Sequence, residues 1–194
     1  MQNREISFFD HVHTLTLKEK KLTIKAMLDI YTLGEDVLRA PTKKVTRFDN
    51  GLAILIDAMF TTMEEADGVG LAGPQIGVSE RIFVVDTRRE GERLAFINPE
   101  IIETGVEMVP YEEGCLSVPG VYHDVMRPAT VTVQAQDING KVFTLKADGL
   151  LARVIQHEND HLYGKLFIDR LEQADKEKLI KVYEKRQKKN KKRK

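Results

Sequence analysis

Apolar residues recur at helical spacing from Asp49 onward, with Leu52, Leu55, Ile56, Met59, Phe60 and Met63 on one face. That period predicts an amphipathic helix with a buried stripe. The helix runs into Gly68-Val69-Gly70-Leu71-Ala72-Gly73-Pro74-Gln75-Ile76-Gly77. Four glycines in ten residues let a backbone approach a ligand closely, or simply turn from helix to strand. The pattern then shortens. Segments 81–87 and 94–102 alternate or run apolar, and 129–136 and 141–146 flank Asn139-Gly140, a hairpin signal. Helical spacing returns with Leu151, Val154 and Ile155, where Asp148 is placed to cap the start and Gly164 to close the end.

At 194 residues with 42% hydrophobic content the chain can bury one core. No stretch reads as a membrane span or a secretory signal, so a cytoplasmic protein with no membrane partner is expected. The formal charge of zero hides an asymmetry. Residues 185–194 hold eight lysines and arginines and no acids, which leaves 22 basic against 30 acidic residues in 1–184. Such a tail is either a solvated helix end or a contact for RNA phosphates. Residues 1–26 read as an N-terminal extension, 27–184 as one domain, and Met27 is a candidate for the true start. His11 and His13 in the extension alternate in a polar arm, a pattern that more often means nothing than a metal tract.

The chemistry concentrates in His157-Glu158-Asn159-Asp160-His161. Two imidazoles four apart share one helix face and can grip one metal ion, while Glu158 is placed to act as a base toward water activated there. The third ligand is not downstream. After His161 the chain mimics the metzincin spacing to Gly164 and then offers Phe167 where a histidine is needed, and Glu172, Glu177 and Glu184 fall in a charged, increasingly basic segment. Upstream stands the one cysteine, Cys115, in Glu113-Gly114-Cys115-Leu116-Ser117-Val118-Pro119. Alone it would read as a small buried hydrophobe. Beside two histidines it completes a three-ligand site with a fourth position open, with His123 as the competing candidate. The glycine segment lacks the endings and spacing of phosphate and dinucleotide loops, which argues against nucleotide binding.

GVGLAGPQIG, EGCLSVP and QHENDH, in that order and at these separations, resemble the three signature motifs of the peptide deformylases. The resemblance runs from about Met27 through the helix after Asp169. It implies an α+β fold in which antiparallel or mixed β-sheets pack around a central metal-binding helix, with a C-terminal helix. It implies removal of the formyl group from the N-terminal formylmethionine of newly synthesised proteins, with release of formate. Cys115, His157 and His161 would be the metal ligands and Glu158 the general base and acid. The side-chain amide of Gln75 and the backbone N–H of Leu116 would stabilise the oxyanion. The peptide would add as a strand along Val69 and Gly70, with Gly114 also in contact. The family's usual cofactor is Fe2+, with Zn2+, Ni2+ or Co2+ as possible substitutes, and in some members a basic C-terminal helix docks on the ribosome.

Two positions depart from the usual pattern. Gly73 stands where the family mostly has alanine, and is expected to loosen the backbone before Gln75. Arg153 stands one turn before His157, where some members have an aliphatic residue, and is expected to make the pocket rim more polar while its stem packs on a thioether.

Overall fold

The structure, a computed structural model, describes residues 28–191. The first long helix, α1 (Asn50–Glu65), starts where the pattern predicts, because the Asp49 carboxylate accepts the N–H groups of Gly51 and Leu52 at 2.9 and 3.2 Å. Such a cap contributes about 1 kcal/mol. Every position of the predicted stripe is buried.

The glycine segment forms a short strand, β1 (Gly70–Ala72), followed by a 3-10 turn (Gly73–Ile76) that carries Gln75. Then come β2 (Ile82–Asp86), β3 (Arg93–Thr104), β4 (Met108–Glu113), β5 (His123–Pro128), β6 (Thr130–Gln136) and β7 (Val142–Asp148). The chain finishes with α2 (Gly149–Leu162), a 3-10 turn (Phe167–Arg170) and α3 (Gln173–Lys191). Residues 185–191 are thus the helical continuation of α3. His11, His13, the rest of the extension and Met27 lie outside the described residues.

The strands make a five-stranded antiparallel sheet, ordered β1-β2-β3-β6-β7, and a separate two-stranded hairpin, β4-β5. Both faces of the larger sheet are covered. Strand β2 shows why its sequence runs apolar without alternation: Phe83 and Val85 pack toward α2 with Phe96, Val131, Val133 and Ile155, while Ile82 and Val84 pack toward α1 with Leu52, Leu55 and Met59. A third cluster of Val118, Val121, Val125, Phe167, Ile168 and Tyr183 seats α3 beneath the hairpin.

Two local expectations change in the structure. Asp148 occupies the N-cap of α2 but its side chain makes no capping hydrogen bond. The β6–β7 turn is a hairpin, yet Asn139 keeps negative φ and only Gly140 is left-handed, at +78°. The turn therefore spans Asp137 to Gly140, closed by Gly140 N–H to Asp137 O at 2.9 Å. Asp137 Oδ1 stabilises it by accepting the N–H groups of Asn139 and Lys141 at 2.8 and 2.9 Å.

Candidate active site

Helix α2 lies across the inner face of the large sheet and presents Leu150, Arg153, Val154 and His157 toward a cleft of about 480 Å³, the i, i+3, i+4, i+7 positions of one face. One wall is β1, the terminal strand of the sheet, with Val69 and Gly70; the other is formed by Tyr111 to Leu116 and by Tyr122. A cleft of this size suits a small ligand or peptide end.

At its floor the ligand atoms of Cys115, His157 and His161 lie within 4.8 Å of one another, and among the described residues they are the group with metal-binding geometry. Cys115 Sγ is 3.3 Å from His161 Nε2. His123 stays apart: its Nδ1 meets its neighbour's carbonyl, that of Asp124, and its Nε2 lies 3.8 Å from Asp175. The donor that the structure brings to the two histidines is thus Cys115 and not His123. Phe167, found where a metzincin histidine would fall, stacks near the His157 ring at a centroid distance of 6.3 Å.

The donors suit a divalent cation. His157 Nδ1 donates to Glu113 Oε2 at 2.9 Å, which turns Nε2 toward the cysteine and fixes the tautomer, an arrangement metal-ligating histidines commonly share. Glu158 Oε2 is buried with no hydrogen-bonding partner, an orphaned acceptor of the kind found at reactive sites.

The Gln75 side chain is held by the end of the preceding strand, β1. Its Oε1 accepts the Ala72 N–H at 2.8 Å, so Nε2 points across the cleft to Cys115 Sγ at 3.6 Å and Ser117 Oγ at 3.2 Å. Gly70 lies directly over Glu158: a Cβ there would sit 2.3 Å from Glu158 Oε1 and 2.7 Å from Val154 Cγ1. Gly73 is not loose, contrary to the expectation from sequence. A Cβ on it would meet the Val78 carbonyl oxygen at 2.7 Å, so glycine permits a close backbone approach.

A buried charge network beneath the site was not read from the sequence. Glu113 accepts Arg127 at two points, 2.7 and 2.9 Å, as well as Arg153 at 3.0 Å and His157. Arg127, 2% exposed, also donates to Asp160 Oδ2 at 2.7 Å, and Asp160 accepts Arg170 Nε at 2.9 Å. Glu113 lies within a recognised motif, but its role depends on partners 14 and 44 residues away.

Burial raises Glu158 to about 7, with the neighbouring His157 opposing and Glu113 adding to the rise. Burial opposes the charge on Glu113 too, but the bonds from His157 and Arg127 outweigh it and hold that carboxyl well below the usual range. Burial, then His157, keeps His161 well below its ordinary value, as a neutral ligand requires. Because Glu158 rises above its unfolded value of 4.5, the stability tied to its protonated form is present below pH 4.5 and lost as pH rises through about 7. In the metal-free protein at pH 8, Glu158→Gln should therefore gain roughly 3 kcal/mol over wild type, falling to near zero at pH 4.5. Urea titrations at the two pH values measure this, and an equal difference at both would contradict it.

An HExxH helix facing a cysteine across a half-open cleft, with a buried carboxylate beside the ligands, defines a metal-dependent hydrolase. A sequence model of polypeptide deformylases matches residues 27–177. A peptide deformylase of Prochlorococcus marinus strain AS9601 is 48% identical over 159 residues, covering 80% of this chain and 79% of that protein. Solved structures agree. The peptide deformylase of Synechococcus elongatus in complex with actinonin superposes with a TM-score of 0.77 at 48% identity, covering 82% of this chain and 87% of that one. That of Legionella pneumophila gives 0.81 at 43% identity, covering 85% and 98%. The chain belongs to the polypeptide deformylase family.

Proposed function

We propose that this chain removes the formyl group from the N-terminal formylmethionine of nascent proteins, with Cys115, His157 and His161 holding one metal ion. The observation that carries this reading is the convergence of those three donors, the Glu158 carboxylate and the Gln75 amide on one cleft floor. When bound, the ion supplies Lewis acidity and makes water a nucleophile near neutral pH.

Glu158, raised to about 7, takes a proton from that water and later delivers it to the leaving amine. Gln75 Nε2 and the Leu116 N–H donate to the oxygen that gains charge on the formyl carbon, the amide being fixed in advance by Ala72. The peptide backbone pairs with the outer edge of β1 at Val69 and Gly70 and meets Gly114 on the facing wall. Gly70→Ala should then displace the Glu158 carboxylate. Formate release is expected to fall by about a hundredfold, the scale set by ångström-size misplacement. Activity within threefold of wild type would show that the carboxylate position is not critical.

One thiolate with two imidazoles suits both zinc and ferrous iron. We infer Fe2+ as the working metal, with Zn2+, Ni2+ or Co2+ as substitutes. No helix among the described residues is long and apolar enough to cross a membrane, and we place the protein in the cytoplasm beside its nascent substrates. The basic end of α3 fits contact with ribosomal RNA. Leu179, Ile180 and Tyr183 dock the helix and Arg186 donates to the Gly120 carbonyl, while Lys188 and Lys189 beyond them are exposed. Deleting 188–194 should weaken salt-sensitive ribosome binding and leave small-peptide turnover unchanged. Sedimentation at two salt concentrations tests this, and undiminished binding would remove the tail from the account.

The reaction itself is tested with three peptides: N-formylmethionyl, N-acetylmethionyl and one offering only internal bonds. Formate from the first, with the other two intact, is the expected result. Cleavage of internal bonds would indicate an endopeptidase instead.

A further inference from the structure

The β4–β5 hairpin is one wall of the cleft, yet it is hydrogen-bonded to no other strand among the described residues. A two-stranded hairpin standing alone is marginal in water, so its position must come from side chains that fasten it. Helix α2 supplies four: His157 and Asp160 hold the side chains of Glu113 and Arg127, while Gln156 and Arg153 hold the hairpin's backbone. Gln156 Nε2 donates to the Pro128 carbonyl at 3.0 Å, at the end remote from Glu113. Arg153 works nearer the cleft: Nη1 donates to Glu113 Oε1 at 3.0 Å and to the Val125 carbonyl at 2.8 Å, and Nη2 donates to the Val109 carbonyl at 2.8 Å. One guanidinium thus joins the end of β4, the start of β4 and the middle of β5 to the helix bearing His157. It is 5% exposed, and its carbon lies 5.7 Å from the centroid of the Tyr111 ring on the same wall. Arg153 lines the cleft, and its guanidinium also serves as an internal tie.

We propose that Arg153 is a positioning residue that sets the distance between the hairpin wall and the β1 wall, and so governs how tightly the cleft grips its peptide. This rests on the deformylase reading given above. The planar fork explains the residue type, since a lysine ammonium is a point charge on a flexible stem and does not reproduce three fixed bonds to three segments. The tie is separable from orientation of the metal ligands. Without Arg153, Glu113 still receives the bidentate Arg127 and still holds His157. The loss should therefore fall on substrate binding more than on the chemical step.

The test uses full-length Arg153→Met and Arg153→Lys, each checked for metal content, with formate release from a formylmethionyl tripeptide and amide hydrogen exchange as readouts. For Arg153→Met the expected result is a KM raised about tenfold with kcat within about threefold, the pattern of lost binding rather than lost chemistry. Exchange should quicken in 108–113 and 123–128 and stay unchanged in β2, β3 and β6. Arg153→Lys should fall between the two and serves as the fallback if the methionine variant does not fold. An unchanged KM with unchanged hairpin exchange would overturn the proposal. So would a uniform rise in exchange across both sheets, which is the mark of a merely structural residue. Should wild type release no formate, the deformylase reading fails by itself, and hairpin exchange still decides whether Arg153 is the tie.

Discussion

Glu158→Ala should lower formate release by about a thousandfold or more, within the range that a general acid–base residue contributes, while the protein keeps its metal. Two features of the site set the size of this effect. The carboxylate is buried, 3% exposed, and raised to about 7, so it exchanges a proton near neutral pH. It also lines the cleft directly beneath Gly70, where the substrate backbone is proposed to pair. Retained metal with lost turnover assigns Glu158 to proton transfer. Retained turnover would assign that step elsewhere, and loss of the metal would mean that the residue supports the ligands instead.

Arg127→Met should destabilise the fold by about 3–5 kcal/mol, the cost of removing one partner from a buried ion-pair network. Arg127 stands between two carboxylates, Glu113 and Asp160, that are as buried as itself. Its removal leaves Asp160 with the half-exposed Arg170 and Glu113 with Arg153 and His157. Both carboxylates stay desolvated with fewer donors, and the cost follows from that imbalance rather than from the lost contact. Weakened metal retention should accompany it, because Glu113 orients His157. Denaturant titration measures the first effect and metal analysis after dialysis the second; a change under 1 kcal/mol would show that the network contributes little.

Much of this was legible before any coordinates. Helices α1 and α2 announce themselves by 3.6-residue spacing, and β2, β3, β6 and β7 by apolar runs bounded by turn residues, because each buries its apolar face against the large sheet or within it. Strands β4 and β5 do not show in the same way. Their inner face is held by Glu113, Arg127 and the donors of Arg153 as much as by apolar side chains, and both strands contain proline, at Pro110 and Pro128. Charged residues in a sequence read as surface, and only the tertiary fold shows that Glu113, Arg127 and Asp160 satisfy one another inside. The paired imidazoles of His157 and His161 were readable because their spacing is local to one helix. Cys115 was readable as the one cysteine able to complete a three-donor site, with His123 left open beside it, and the claim of Glu113 on His157 needed the fold.

The central claim is that one metal ion, held by Cys115, His157 and His161, serves this reaction. Its most direct test is a titration of metal-free protein with ferrous iron, without oxygen, following formate release from a formylmethionyl peptide. Activity should climb in proportion to added iron and level off at one equivalent per chain. Full activity before any iron is added, or none at several equivalents bound, would contradict the account.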